Sequence, residues 1–102
     1  VQGALDLLIL KLVATEPMHG WAIAQRTRQM SNEVLQIGQS ALYPALHKLE
    51  QQGWIAAEWK TSDNNRRAKY YSLTAAGRKA LAKEANQWER LSAAISFIVR
   101  TA

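Results

Sequence analysis

The apolar residues change their spacing abruptly at Gly53, and this change constrains the fold more than any other feature. From Trp54 onwards apolar and polar side chains alternate, and a second alternating run ends at Leu73. A period of two is typical of β-strands with one buried face. Between the two runs lies a polar segment, 61–68, that contains the turn formers Asp and Asn. The pattern predicts a β-hairpin, with the alternation carried by Ile55, Ala57, Trp59, Tyr71 and Leu73.

On both sides of this hairpin, apolar residues recur every three or four positions, as they do in helices. The spacing predicts helices over 3–15, 21–30 and 41–52 before the hairpin, and a long helix through residue 99 after it. Thr74 is a good N-cap for the long helix, and Gly53 suits the C′ position after the third helix. The expected fold class is therefore mainly α with a small β-hairpin (α+β).

The same periodicity predicts which side of each helix faces the core. The second helix is expected to bury Ile23, Thr27 and Met30, and the third to bury Leu42, Ala45, Leu46 and Leu49. The tryptophans at 21, 54 and 59 are interpreted as packing residues of the hairpin and between helices, in preference to base-stacking platforms. The first helix is apolar on nearly all sides, including Leu7 and Leu10. Because a short chain covers only one face of such a helix, a second subunit is expected on the other.

The order of three helices, hairpin and long helix is that of a winged helix-turn-helix. In this arrangement the third helix enters the major groove of DNA, and the hairpin, or wing, lies beside it. We expect residues 1–74 to form the DNA-binding domain and residues 75–102 a separate C-terminal helix.

Positive charge is concentrated in the second half of the chain. The sequence has 13 Lys and Arg against 8 Asp and Glu, and the entire excess lies after Gly53. Four cations, Lys60, Arg66, Arg67 and Lys69, fall on or next to the predicted hairpin tip. Such a cluster can neutralise DNA phosphates independently of sequence. The alternative is a solvated loop with incidental charge.

The outward face of the third helix provides groups that suit a DNA groove. Ser40 and Tyr43 can donate to phosphates near the start of the helix. His47, Lys48 and Gln51 are candidates for contacts with base edges. The alternative is an ordinary polar helix face.

Several motifs make the sequence resemble the PadR family of bacterial transcriptional regulators, in its compact subgroup with a short C-terminal helix. The resemblance covers nearly the whole chain and rests on four segments: Pro17-Met18-His19-Gly20-Trp21-Ala22-Ile23, residues 40–50 with the run Leu42-Tyr43-Pro44, Gly53-Trp54-Ile55, and residues 66–77 with Leu73-Thr74 and Gly77. The Leu-Tyr-Pro run is fairly specific, whereas Leu-Thr-x-x-Gly also occurs in other winged-helix families. The chain departs from the family at Ser40-Ala41, where Gly and then Ser or Thr are usual.

The resemblance implies a homodimeric repressor that binds a palindromic operator in double-stranded DNA. Tyr43 carries over as a DNA contact, and Pro44 as a residue that shapes the helix start. The last helix is implied to pack with the first helix of the partner subunit. The residues expected at this dimer interface are apolar: Leu7, Leu10, Leu81, Trp88, Leu91, Ile95 and Ile98.

Trp88 has two interpretations. In some family members an aromatic residue on this helix lines a dimer-interface cavity that binds flat aromatic ligands, so a small aromatic effector is one partner to consider. Packing in the dimer core is favoured, because an aromatic stripe at helical spacing usually forms a core or an interface.

Other function classes find little support in the sequence. There is no cysteine, and the two histidines lie in different elements, so neither a metal nor another cofactor is expected. No nucleophile motif, phosphate-binding loop or carboxylate pair indicates an enzyme. Asp6 and Lys11 interrupt the apolar N-terminal stretch, so a cytoplasmic protein without a membrane span is expected. Since the chain begins with Val1, a few residues are expected to precede it.

Three hypotheses follow from these observations. The leading one is a dimeric, operator-binding repressor. The second is a protein-interaction module of the same fold whose basic wing docks an acidic partner. The third, a basic membrane-surface binder, is weakest because the charges cluster on a hairpin tip and do not follow one helix.

Overall fold

The computed structural model describes residues 2–102, which form four helices and three strands. In chain order these are α1 (Gln2–Thr15), β1 (Met18–His19), α2 (Gly20–Met30), α3 (Gln39–Gln51), β2 (Ile55–Thr61), β3 (Arg67–Leu73) and α4 (Ala75–Thr101). The predicted order of three helices, hairpin and long helix is confirmed. The predicted helix ends agree within two residues.

The hairpin is part of a three-stranded antiparallel sheet in the order β1-β3-β2. The register of β2 and β3 pairs Ile55 with Leu73 at one end and Thr61 with Arg67 at the other. β1 adds to the free side of β3, where Met18 pairs with Tyr71. The sequence analysis did not predict β1, because two residues are too few to show an alternating pattern.

The hydrophobic core is built around α1. This helix packs against α2, α3, α4 and β3, so its apolar residues are largely covered by its own chain. The fully buried large side chains are Ile9, Leu10, Ile23, Leu42, Leu46, Leu49 and Ile55. The inward faces predicted for α3 and for most of α2 are therefore confirmed.

Two residues are placed differently from the prediction. Leu10, expected at the dimer interface, is 0% exposed because the core of its own chain surrounds it. The prediction that Leu10 contacts a partner is therefore wrong. Met30, expected on the inner face of α2, is 69% exposed at the end of that helix.

The junction between the wing and α4 explains the Leu-Thr-x-x-Gly motif. The Thr74 hydroxyl donates to the Gly53 carbonyl over 2.6 Å and accepts from the Gly77 N–H over 3.0 Å. The Thr74 N–H donates to the Trp54 carbonyl over 3.1 Å. A Cβ on Gly77 would lie 2.0 Å from that same carbonyl oxygen, so only glycine fits. The predicted cap by Thr74 is confirmed, and it also anchors α4 to the start of β2.

Helix α3 begins two residues earlier than predicted. Gly38 occupies the N-cap position and provides no side-chain hydrogen bond, although its carbonyl accepts from the N–H groups of Ala41 and Leu42. Pro44 consequently lies in the second turn and offers no N–H to the Ser40 carbonyl, four residues earlier. At the other end, Gly53 follows the helix with φ +78°, as expected for a C′ glycine.

Candidate nucleic-acid interface

Helix α3 presents one exposed stripe of polar side chains. Tyr43, His47 and Gln51 follow each other at intervals of four residues and are all exposed. Ser40 and Pro44 are exposed on the same side. The structure thus brings together five of the six α3 residues predicted to face DNA, opposite the buried side of the helix.

Lys48 does not belong to this stripe. Its Nζ donates to Asp6 Oδ2 on α1 over 2.5 Å, and both side chains are partly buried. The other Asp6 oxygen, Oδ1, is buried and has no hydrogen-bond partner within residues 2–102. Removing Lys48 from Asp6 would leave that carboxylate without its cation in a partly buried site. The structure therefore places Lys48 as a link between α3 and α1, in contrast to the predicted contact with bases.

The four predicted cations of the wing differ in their partners. Lys60 Nζ lies 3.5 Å from a Glu58 oxygen, and Lys69 Nζ lies 3.2 Å from Glu50 Oε1. Arg66 and Arg67 have no carboxylate within ion-pair distance among the described residues. These two arginines are exposed at the tip of the hairpin, and their charge remains available to an anion.

The contact between Lys69 and Glu50 ties the wing to α3. The hydrogen bond that Lys69 donates to Glu50 is the main cause that raises the pKa of Lys69, and the electrostatic interaction with Tyr71 adds to it. Burial raises the pKa of Tyr71, although the charge of Lys69 opposes this effect. At neutral pH Lys69 is therefore charged and Tyr71 neutral. The contact therefore links β3 to α3 next to the exposed stripe.

An open cleft of about 780 Å³ lies between the wing and the starts of α2 and α3. We call it the aromatic cleft; the residues of its lining used below are His19, Trp21, Tyr43, Trp59, Arg66 and Arg67. Trp21 is 65% exposed and Trp59 58% exposed, so the prediction that they pack internally is wrong for both. Trp54 does pack against the core. In the sequence Trp59 lies between Glu58 and Lys60, and its exposure follows only from the cross-strand position of Arg67.

Contacts within the aromatic cleft hold its walls in place. The Arg67 guanidinium lies over the Trp59 ring, with 5.6 Å from its carbon to the ring centroid. His19 Nδ1 caps α2 by accepting from the Ala22 N–H over 3.1 Å. The Tyr43 ring lies against Gly20, where a Cβ would approach the hydroxyl oxygen to 2.9 Å. The glycine of the Met-His-Gly motif thus makes room for the ring of Tyr43.

A second, mainly apolar groove of about 650 Å³ lies between α1 and α4. Leu7, Leu8, Leu81 and Trp88 are among its lining residues. Further along α4, Leu91, Ile95 and Ile98 are each more than half exposed. With the exception of Leu10, the residues predicted for the dimer interface thus lie in this groove or on its continuation along α4.

Metal binding and membrane insertion each require a particular arrangement of residues. No group of three or more His, Cys, Asp or Glu side chains in residues 2–102 is arranged to hold a metal ion. Over the same residues, no helix combines the length and apolar character that a membrane crossing requires.

Comparison with known proteins identifies the family. Residues 9–83 match the Transcriptional regulator PadR-like family. The chain belongs to this PadR-like family. It is 33% identical over 91 residues to Transcriptional regulator Rv3488 of Mycobacterium tuberculosis, a match that covers 89% of this chain and 81% of that protein.

Solved structures of related regulators have the same fold as this PadR-like protein. A transcriptional regulator from Clostridium thermocellum superposes with a TM-score of 0.86 at 28% identity, covering 95% of this chain and 94% of the other. A PadR family transcriptional regulator from Eggerthella lenta gives a TM-score of 0.78 at 29% identity, with coverages of 98% and 85%. The predicted winged-helix fold and family are therefore confirmed, and the relatives are transcriptional regulators.

Proposed function

We propose that this PadR-like regulator is a homodimeric repressor that binds a palindromic operator through α3 and the wing. The observation that carries the proposal is that Tyr43 of the exposed α3 stripe lines the same cleft as Arg66 and Arg67, the two wing cations without a carboxylate partner among the described residues. A helix that offers hydrogen-bonding side chains beside unpaired arginines suits a duplex, whose bases and phosphates lie side by side.

The α3 stripe and the wing have different roles in this proposal. His47 and Gln51 contact base edges in the major groove, because both are exposed on the α3 stripe and carry hydrogen-bonding side chains. Ser40 and Tyr43, near the start of the helix, donate to phosphates. Pro44, which follows Tyr43, shapes the start of the helix. Lys48 remains bound to Asp6 and contributes to the orientation of α3.

On the wing, Arg66 and Arg67 provide the main phosphate contacts. Lys60 adds charge from the outer side of β2, beside Glu58. Lys69 contributes mainly by holding the wing against α3 through Glu50. This division of roles predicts a sequence-independent affinity from the wing and a sequence preference from α3.

The dimer in the proposal forms through α4 and the groove between α1 and α4. Trp88, Leu91, Ile95 and Ile98 are 43–59% exposed on one side of a helix that extends away from the core, and such an apolar stripe favours a protein partner. Residues 1–74 then act as the DNA-binding unit and residues 75–102 as the dimerisation helix. Two-fold symmetry would place the recognition helices about one helical turn, roughly 34 Å, apart or at a multiple of that distance.

Trp88 supports a second role for the same groove. It lines the apolar groove together with Arg78 and Lys11, so a small aromatic effector would find both an aromatic wall and cations there. Packing between subunits is the favoured role, because the stripe continues along α4 beyond the groove. Competition between a bound effector and the dimer contact would then link ligand to DNA affinity.

The proposed function is tested by comparing the intergenic DNA beside the protein's own gene with a scrambled duplex of equal length, at two salt concentrations. We expect the intergenic duplex to bind at least about a thousandfold more tightly, with a preference that persists at the higher salt. Equal affinities that collapse with salt would contradict an operator at this site. That result would favour the second hypothesis, a basic wing that docks an acidic protein.

A further inference from the structure

We propose that the aromatic cleft holds the sugar-phosphate backbone of one DNA strand, with Trp21 and Trp59 as its two walls. The inference rests on the proposed function, since the ligand is the same duplex. It adds two DNA-contacting residues, Trp21 and Trp59, and a site that joins α3 to the cationic tip of the wing.

The exposure of the two tryptophans is the first observation. Trp21 and Trp59 are 65% and 58% exposed, and neither belongs to the core cluster. An indole contributes a large apolar surface and an N–H that only donates hydrogen bonds. Two such groups in the lining of one cleft fit a ligand with apolar sugar rings and anionic acceptors. The deoxyribose-phosphate chain has both.

The charge of the aromatic cleft is the second observation. Arg66 and Arg67 line it without carboxylate partners among residues 2–102, whereas Asp63 is the acidic residue of the lining. The charge of Lys69, which also lines the cleft, is balanced by Glu50. The cleft therefore keeps an excess of positive charge. The Arg67 guanidinium lies over the Trp59 ring and has no carboxylate partner among residues 2–102, so its N–H groups are available to a phosphate.

The position of the aromatic cleft is the third observation. Tyr43 belongs both to the lining and to the exposed stripe of α3, so the cleft continues directly from the proposed base-reading surface. A strand that passes from α3 to the wing has to cross it. These features favour a continuous DNA strand as the ligand of the cleft.

The test measures binding of Trp21→Ala and Trp59→Ala to the intergenic and the scrambled duplex by fluorescence anisotropy of labelled DNA. The matched control is Met30→Ala, which removes a similarly exposed apolar side chain from the other end of α2, outside the cleft. Thermal unfolding of each variant checks the fold, which exposed side chains are expected to leave intact. Arg66→Ala with Arg67→Ala provides the electrostatic comparison.

We expect each tryptophan variant to weaken both duplexes by the same factor, about tenfold, which corresponds to the loss of an aromatic contact with nucleic acid. The salt dependence should stay unchanged, in contrast to the arginine variant. Wild-type affinity in both tryptophan variants would overturn the inference while leaving the proposed function intact. Failure of the wild-type chain to bind either duplex would overturn both. A loss limited to the intergenic duplex would also overturn it, because a backbone contact does not depend on sequence.

Discussion

At the scale of single residues, Gly77 is a motif glycine that cannot be replaced, because a neighbouring backbone atom leaves no room for a side chain. A Cβ at this position would lie 2.0 Å from the Trp54 carbonyl oxygen, which is itself held by the Thr74 N–H. This carbonyl belongs to the backbone of the junction that anchors α4, so it has little freedom to move. We predict that Gly77→Ala destabilises the fold by about 3 kcal/mol, at the upper end of the usual cost of overpacking.

Chemical unfolding in urea measures this effect, and Gly3→Ala is the control. Gly3 is also a helical glycine, but a Cβ there would meet nothing within 4 Å. Alanine favours a helix over glycine by about 1 kcal/mol, so Gly3→Ala should be neutral or stabilising. Equal stability of both variants would show that the junction is not sterically closed.

At the scale of secondary-structure elements, α4 carries an apolar surface that the rest of its own chain leaves partly exposed. Ile95 is 52% exposed on the stripe proposed to meet the partner subunit. We predict that Ile95→Lys turns the dimer into a monomer, because it places a charge in an apolar interface. Helix content should not change, since Ile95 lies outside the core. Sedimentation equilibrium measures the change in mass.

Asn86→Lys provides the matched control for this prediction. Asn86 is exposed and lies nine residues before Ile95, which places it on the opposite side of α4 at 100° per residue. The Asn86 variant should remain dimeric. A wild-type chain that sediments as a monomer, or an Ile95 variant that stays dimeric, would rule out the proposed interface.

The elements also show how far the sequence predicts this structure. The helices and the hairpin follow from periodicity, because burial on one face imposes the same spacing in any fold. β1 could not be predicted, since its pairing with β3 depends on a long-range contact between Met18 and Tyr71. The same holds for Leu10: its spacing shows an apolar side of α1 but not whether the same chain or a partner covers it. The ion pairs of Lys48 and Lys69 join residues 42 and 19 positions apart, which no local pattern reveals.

At the scale of the whole molecule, the proposed DNA-contact and dimer surfaces lie in different regions of an elongated chain measuring 53 × 29 × 22 Å. The α3 stripe, the aromatic cleft and the wing tip form one continuous region. The apolar groove and the free part of α4 form the other, and α1 lines the groove while its Asp6 holds Lys48 of α3. A change at the dimer contact therefore has a short physical route to the recognition helix.

In the proposed complex, α3 contacts bases while the wing binds phosphates. Comparing Gln51→Ala with the Arg66→Ala, Arg67→Ala double variant tests these two roles directly. Both are titrated with the intergenic and scrambled duplexes over a range of salt. We predict that the Gln51 variant loses about 1 to 3 kcal/mol on the intergenic duplex alone. The arginine variant should weaken both duplexes and reduce the salt slope by about two. Uniform losses in both variants, or a salt slope that the arginines leave unchanged, would contradict this division of roles.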